Sequence, residues 1–489
     1  MKIKEYAQLD AIDVVQLIKK SQFSAKDVLD SALNQIETLN PKLNSVIFTF
    51  YDLAKKQLEK ADKNSPLYGT VILLKDSLHD IEGTFSTLGS KLLRNNISTQ
   101  TSTFVKRLLD AGCIVVGKTN LPEFALMGTT EPKLFGPTRN PFNLAYSPGG
   151  SSGGSAASVA SGMVSVATGN DGGGSIRIPA SMCGLFGFKP SRYFTPMGSE
   201  FFDTWMGLVV NHVLTKSVRD SALFLDIEYG FDGPIYFKKP IESFLEELNK
   251  PLEPLKIALN THSYFGSVNN ENVRATLEVA KILESFGHII EEDEPKVDFE
   301  KLYDTYIDSM FIETAFLLDY LENKLHKKIT IKDVEPSTYI LAKIGDKLNA
   351  KLNIQIKHLW DKTGFYMRSF FEKYDVYMTP TLANPHIELG SLLPSSIEEF
   401  ALKSVSKLDL CFYIKPIVKK IAFKQLSAFP FTQLANQTGL PAMSIPAGIS
   451  SKNIPLGVHF MSGYAKDHLL LRLAKQLEET PIWFRPQKK

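Results

Sequence analysis

The sequence predicts an α/β protein, and three observations carry the prediction. Short β-branched apolar runs alternate with segments whose apolar residues recur at helical spacing. Two of these pairs read helix, then glycine, then strand, which is the signature of α/β units. The chain has 489 residues, 44% of them hydrophobic and 22% charged, and that is length and apolar content enough for a large core.

Taken in order, residues 10–20 and 25–38 carry helical apolar spacing, and Ser24 stands at an N-cap with Asp27 three residues on. The first 65 residues therefore read as N-terminal helices. The run "TVILL" at 70–74 is short, apolar and β-branched, and reads as a buried strand delivering Lys75 at its end. "STFVKRLLDAG" followed by "CIVVGKTN" is the first helix–glycine–strand unit, and residues 272–287 running into "HIIEE" form the second. "YDVYMTPT" and "LPAMSIPAG" predict two more buried strands, each entering a proline-bearing loop. Several helices are expected over 299–371. No internal repeat and no linker-like boundary interrupts the chain, so 1–489 reads as a single domain, with 300–372 as a candidate helical cap.

Composition excludes several function classes. Lys and Arg number 55 against 53 Asp and Glu, a net charge of +2, which gives no nucleic-acid footprint. The N-terminus is charged throughout, unlike a signal peptide, and no run of about 18 uncharged apolar residues offers a membrane span. A soluble cytoplasmic protein without membrane partners is the expectation. Cys113, Cys183 and Cys411 lack ligand spacing, so they read as buried free thiols, with no metal and no cofactor implied.

The stretch "SPGGSSGGSAASVASG", 147–162, admits three readings. A flexible linker would have polar surroundings, whereas this one flows into an Ala-rich helix former and an apolar run. A phosphate cradle needs Gly-x4-Gly-Lys-Ser/Thr, and no such lysine follows. The third reading is catalytic. Both Ser151 and Ser152 satisfy Gly-x-Ser-x-Gly, the nucleophile elbow of α/β hydrolases, but a proline-rich loop precedes them where that elbow requires a strand. His212, His262, His288, His326, His358, His386, His459 and His468 all lie downstream, and none sits in a segment that singles it out. "SVSK" at 404–407 fits Ser-x-x-Lys without the partner motifs of penicillin-binding sites, and reads as an exposed helix turn.

A different constellation fits better: Lys75, the Ser151–Ser152 pair, and Ser175 in "GNDGGGSIRIPASMCGLFGFKPSR", with Ser175 24 residues after Ser151. With "LLKD", "GKTNLPEF", "NP", "PGGSSGGSAA" and "GSIRIPA" in this order, the chain resembles the amidase signature family over nearly its whole length. The resemblance implies a large twisted mixed sheet covered by helices on both faces, with 66–235 as the catalytic core. It implies Ser175 as nucleophile, Ser151 as a bridging serine on a cis peptide, and Lys75 as the base. The chemistry is coherent, because a serine hydroxyl attacks an amide only if its proton is removed, and a lysine can remove it only when burial keeps it neutral. An isolated lysine would instead snorkel to the sheet edge.

Gly172, Gly173, Gly174 and Ser175 can offer four backbone amides to a tetrahedral oxyanion, donors worth about 2.7–4 kcal/mol each where one has been removed. The family more often has Thr or Ile at the position of Gly172. Asp171 and Arg177 read as a supporting network or as a surface ion pair, and Ser152 as a residue holding the lysine or the loop. By resemblance the loop 123–128 and the region after Pro196 line the substrate pocket, with Ala125, Met127, Trp205 and Phe201 as candidate walls. Phe and Trp at such spacing also suit a core.

Several segments, among them "TTEPKLFGPTRNPFN", "LFGFKPSR" and "PIWFRP", look similar to the branch containing 6-aminohexanoate-cyclic-dimer hydrolases. The expected substrate is a small linear or cyclic carboxylic amide. The competing readings are the glutamine-hydrolysing A subunit of glutamyl-tRNA amidotransferase and a catalytically inactive binding protein on the same fold. Against the first, the chain reads "KPSRYFTPMGSEFFD" where that subunit carries a "GRVSRYG" run. Retention of the lysine and both serines argues against the second. The N-terminal helices can pair with a second copy, so a homodimer is a further expectation.

Overall fold

The structure, a computed structural model, describes residues 3–198, 203–233, 238–407 and 410–485. Eleven strands among these residues form one sheet: β1 (Val46–Thr49), β2 (Val71–Lys75), β3 (Ile114–Thr119), β4 (Val166–Asp171), β5 (Phe186–Lys189), β6 (Val210–Thr215), β7 (Lys256–Leu259), β8 (Ile289–Glu292), β9 (Val376–Pro380), β10 (Ala442–Ile449) and β11 (Pro455–Ser462). Their spatial order is β1-β3-β2-β4-β6-β5-β10-β11-β9-β7-β8. The sheet is mixed: β2 runs parallel to β3 and β4, β7 runs parallel to β8 and β9, and the strands between β4 and β9 pair antiparallel.

The "VILLK" strand shows why the sequence pattern works. Parallel strands are covered on both faces and so read as continuous apolar runs, and all five residues of β2 are buried. Val71 and Leu73 pack with Val28, Leu29 and Val159, whereas Ile72 and Leu74 pack with Phe104, Leu108 and Phe224. Helices therefore cover both faces. Because side chains alternate along a strand, Lys75 emerges on the Val71 and Leu73 face, the face that the helix Gly153–Ala160 covers through Ala156 and Val159.

The helix Ala25–Leu43 begins at the predicted cap: Ser24 Oγ accepts from the Asp27 N–H, and Asp27 returns a bond to the Ser24 N–H. One difference from the sequence reading lies just beyond it. The first 65 residues are not all helical, because "VIFT" forms β1 against β3, Val46 opposite Thr119. Four residues are too few to show a period of their own, and the pairing comes from a strand far along the chain. The helices Phe299–Leu325, Pro336–Gly345 and Ala350–Lys373 occupy the region expected to be helical. In the helix Ser396–Lys407, the Ser404 hydroxyl donates to the Phe400 carbonyl, an ordinary intrahelical bond. Cys113 and Cys183 are free and buried, and Cys411 is buried as well.

Candidate active site

Lys75 ends β2 with its side chain fully buried. Its backbone N–H donates to Thr168 Oγ1 on β4 at 2.9 Å, which fixes the strand end. Its Nζ donates to Ser151 Oγ at 2.8 Å and to Asn170 Oδ1 at 2.5 Å. Burial pushes the ammonium down to about 7, with the nearby Asp171 charge pulling the other way. A lysine so placed is substantially neutral near pH 7, the state a base requires.

The Gly/Ser stretch that meets it is neither linker nor surface: residues 147–159 are buried throughout. The Gly150–Ser151 peptide is cis. Close approach of backbones explains the glycine at 154, where a Cβ would stand 2.5 Å from the Asn120 N and O atoms. Ser152 Oγ donates to the Asn170 carbonyl at 3.4 Å, the carbonyl that Lys75 Nζ also reaches at 3.5 Å, and its N–H donates to the Ser175 carbonyl at 3.3 Å. It ties the serine loop to the end of β4.

Asp171 and Arg177 are both fully buried, so the surface-pair reading falls. Arg177 meets the carboxylate with two bonds, Nε to Oδ2 at 3.0 Å and Nη2 to Oδ1 at 2.9 Å. Burial alone would raise the Asp171 carboxyl, but the Arg177 charge and the bonds from Arg177 and Asn436 hold it well below the usual carboxylate range. The same carboxylate accepts the Gly174 N–H at 2.7 Å and the Ile176 N–H at 3.2 Å.

That bond corrects one expectation. The Gly174 amide is spent on Asp171, three residues back in a tight turn, and is not available to an oxyanion. The amides of Gly172, Gly173 and Ser175 make no hydrogen bond among the described residues and remain as candidate donors. Gly174 has φ +123°, a region side chains rarely adopt.

Ser151, Asn170, Gly172, Gly173 and Ser175 open on a cavity of about 580 Å³. The half-buried Ser175 hydroxyl makes no hydrogen bond among the described residues, so the direct link in this structure is Lys75 to Ser151, not Ser151 to Ser175. Ala125, Met127 and Trp205 all line the cavity, as does the whole of 123–128; Phe201 lies outside the described residues. Among the described residues no histidine hydrogen-bonds Ser151 or Ser152; His79 meets Thr168 Oγ1, the acceptor of the Lys75 N–H. Among the described residues no group of three or more His, Cys, Asp or Glu could hold a metal ion, and no helix is long and apolar enough to cross a membrane.

Sequence reasoning missed three residues. Asn170 holds the lysine, and its own Nδ2 donates to the Ser77 carbonyl at 3.0 Å; its place beside Asp171 on a strand ending at the site was the available signal. Tyr306, on the helix Phe299–Leu325, donates to the Gly172 carbonyl at 3.4 Å, and Thr432 Oγ1 donates to the Gly173 carbonyl at 2.6 Å. Both orient the glycine turn, and nothing local in the sequence marks either.

A buried lysine bonded to a serine at a cis peptide, beside a glycine turn with unspent amides, defines a hydrolase-type site on a mixed α/β sheet. The family model for amidases matches residues 27–471, and the chain belongs to the amidase signature family. It is an amide hydrolase, acting on amide carbon–nitrogen bonds. It is 30% identical to the 6-aminohexanoate-cyclic-dimer hydrolase of Paenarthrobacter ureafaciens, over 98% of this chain and 96% of that one. It is 32% identical to a lipoamidase of Enterococcus faecalis, over 97% of this chain and 63% of that one. A solved structure of 6-aminohexanoate cyclic dimer hydrolase complexed with substrate superposes with a TM-score of 0.88 at 27% identity, covering 100% of this chain and 99% of the other.

Proposed function

We propose that this amidase cleaves carboxylic amides through an acyl-enzyme on Ser175, with Ser151 relaying protons to and from Lys75. The observation that carries the reading is the 2.8 Å bond between Lys75 Nζ and Ser151 Oγ, made by a lysine that burial brings down to about 7. Neutral Lys75 takes the Ser151 proton as Ser151 takes that of Ser175. Ser175 Oγ then bonds to the amide carbon, and the oxyanion receives the amides of Gly172, Gly173 and Ser175. On collapse the carbon–nitrogen bond breaks, and the relayed proton passes to the departing nitrogen. Water attacks the ester through the same relay and releases the acid.

The proposed relay brings Ser175 Oγ into hydrogen-bond reach of Ser151 Oγ as substrate binds, since catalytic hydrogen bonds often tighten only in the complex. Asp171 and Arg177 act as positioning residues that shape the glycine turn. Small linear or cyclic amides are the substrate class that similarity to the cyclic-dimer hydrolase supports. The whole chain acts as one domain on this reading, since a single sheet takes strands from residue 46 to residue 462.

The test is intact-mass spectrometry after exposure to a fluorophosphonate, followed by peptide mapping. A single adduct on Ser175 is expected. An adduct on Ser151 or Ser152 in its place, or none on folded protein, overturns the assignment.

A further inference from the structure

The mechanism leaves one buried group behind the glycine turn unused. His459 stands on β11, paired with Thr379 of β9 and Ser444 of β10, and is 1% exposed. Its Nε2 lies 2.8 Å from Arg177 Nη1, and its Nδ1 lies 3.4 Å from Thr379 Oγ1. The contact with Arg177 spans 282 positions of the chain.

Hydrogen counting fixes what the ring does. A guanidinium carries five N–H donors and no acceptor. Arg177 sends its Nε hydrogen to Asp171 Oδ2 and one Nη2 hydrogen to Asp171 Oδ1. The second Nη2 hydrogen goes to Asn436 Oδ1 at 2.7 Å, one Nη1 hydrogen to the Thr432 carbonyl at 2.9 Å, and the other to His459 Nε2. Facing a donor, Nε2 is the bare nitrogen of a neutral imidazole, and the ring proton sits on Nδ1. Thr379 Oγ1 gives its own hydrogen to the Pro380 carbonyl at 3.0 Å and accepts from Nδ1. Burial, and after it the Arg177 charge, hold the ring well below the usual histidine range against the pull of Asp171.

Arg177 is the point where three tethers of the glycine turn meet. Asp171 accepts the Gly174 and Ile176 N–H groups. Thr432 Oγ1 donates to the Gly173 carbonyl, and Asn436 Nδ2 donates to the Asp171 carbonyl at 2.8 Å. Asp171, Thr432 and Asn436 supply four of the five acceptors of the guanidinium. The fifth is His459, which among the described residues alone bonds the guanidinium to β11.

On the acyl-enzyme reading above, we infer that His459 is a positioning residue for amide hydrolysis: its Nε2 lone pair sets the plane of Arg177, and Arg177 holds Asp171, Thr432 and Asn436 where they keep the Gly172, Gly173 and Ser175 amides aimed at the oxyanion. His459 does not line the cavity and acts through the guanidinium. Without its acceptor one buried N–H of Arg177 is unsatisfied, and the fork turns to find another partner, taking the carboxylate with it. Oxyanion donors act on charge that develops in the transition state, so the loss falls on kcat and not on KM.

The experiment compares kcat and KM on an acyl p-nitroanilide for the parent, His459→Met and His459→Gln, each checked by thermal melting. Glutamine reaches about as far as Nε2 and ends in an oxygen that accepts. Methionine fills similar space without a comparable acceptor. His459→Met is expected to lower kcat about 10–100-fold, the scale on which losing a group that orients a working residue lowers activity, with KM within about twofold of the parent. His459→Gln is expected to bring kcat back to within about threefold of the parent. His459→Asn keeps an amide that ends short of Arg177; it should follow His459→Met, and it carries the comparison if the methionine variant does not fold. Parent-like kcat in the folded Met or Asn variant, an equal loss in His459→Gln, or a loss carried by KM alone, with Ser175 of the parent labelled by a fluorophosphonate, overturns the inference and leaves the mechanism standing. No turnover and no label on the folded parent overturns the mechanism, and the inference with it.

Discussion

Two polar constellations lie near one another in this sheet, one at the ends of β2 and β4 and one on β6, and the less conventional one is the one that opens on the cavity. His212 on β6 places Nδ1 2.5 Å from Glu228 Oε2 and Nε2 2.8 Å from Ser221 Oγ, the residue set of a serine-hydrolase triad. Burial raises the Glu228 carboxyl, and the His212 ring beside it opposes that shift. His212 and Glu228 are fully buried, Ser221 nearly so, and none of the three lines the cavity. Lys75, Ser151 and Ser175 contain no histidine and no acid, yet two of them open on a cavity bordered by unspent backbone amides. Residue type proposes a nucleophile; access and oxyanion donors decide whether it can work.

The strongest way to break this comparison is to remove the working set. Ser175→Ala and Lys75→Ala are each expected to lower kcat on an amide by about 10⁴-fold or more, the scale seen when a nucleophile or its base is deleted. Thermal melting should leave the Ser175→Ala protein near the parent. Near-normal turnover in that variant would sink the assignment.

A finer test bears on why the lysine works. In the proposed relay Lys75 serves as base only when neutral, and burial brings it down to about 7, so the active fraction should grow as pH rises through that value. The kcat/KM profile should therefore rise from acid with an apparent pKa about 7. Asn170→Asp would place a carboxylate where Asn170 Oδ1 accepts from Nζ. An opposite charge at this range favours the ammonium, so the limb should move up by about 1–3 pH units and activity at pH 7 should fall about tenfold or more. An unshifted limb would show that another group titrates.

Between the site and the fold stands Gly154, whose added Cβ would meet backbone and not a yielding side chain. Gly154→Ala should cost about 1–3 kcal/mol, as overpacking does, read as a lower melting temperature. A melting temperature equal to the parent's would show that the loop and the Asn120 backbone can separate.

How much of this was legible beforehand follows from how local each signal is. Lys75 could be placed because four apolar residues precede it on one strand, and the serines because their spacing matched a family pattern. The loss of the Gly174 amide to Asp171 turns on a side-chain direction that no spacing encodes. Tyr306 and Thr432 reach the glycine turn from helical regions far along the chain, so only the folded sheet and its covering helices bring them there. β1 was missed for the same reason, since its partner β3 lies well downstream.

The smallest expected effect on activity sharpens the comparison from its other side. Ser221→Ala deletes the hydroxyl of the closed Ser–His–Glu set and leaves the buried His212 Nε2 without its partner. An unsatisfied buried polar group costs about 1–3 kcal/mol, so the melting temperature should fall. Turnover should not, because Ser221 is buried on the helix Val218–Glu228 and does not line the cavity. Measured together, a lowered melting temperature with kcat/KM within about twofold of the parent would identify the His212 set as structural, its His–Ser and His–Glu bonds serving the core. A collapse of kcat/KM at unchanged stability would reverse the comparison and require a second reacting centre on β6.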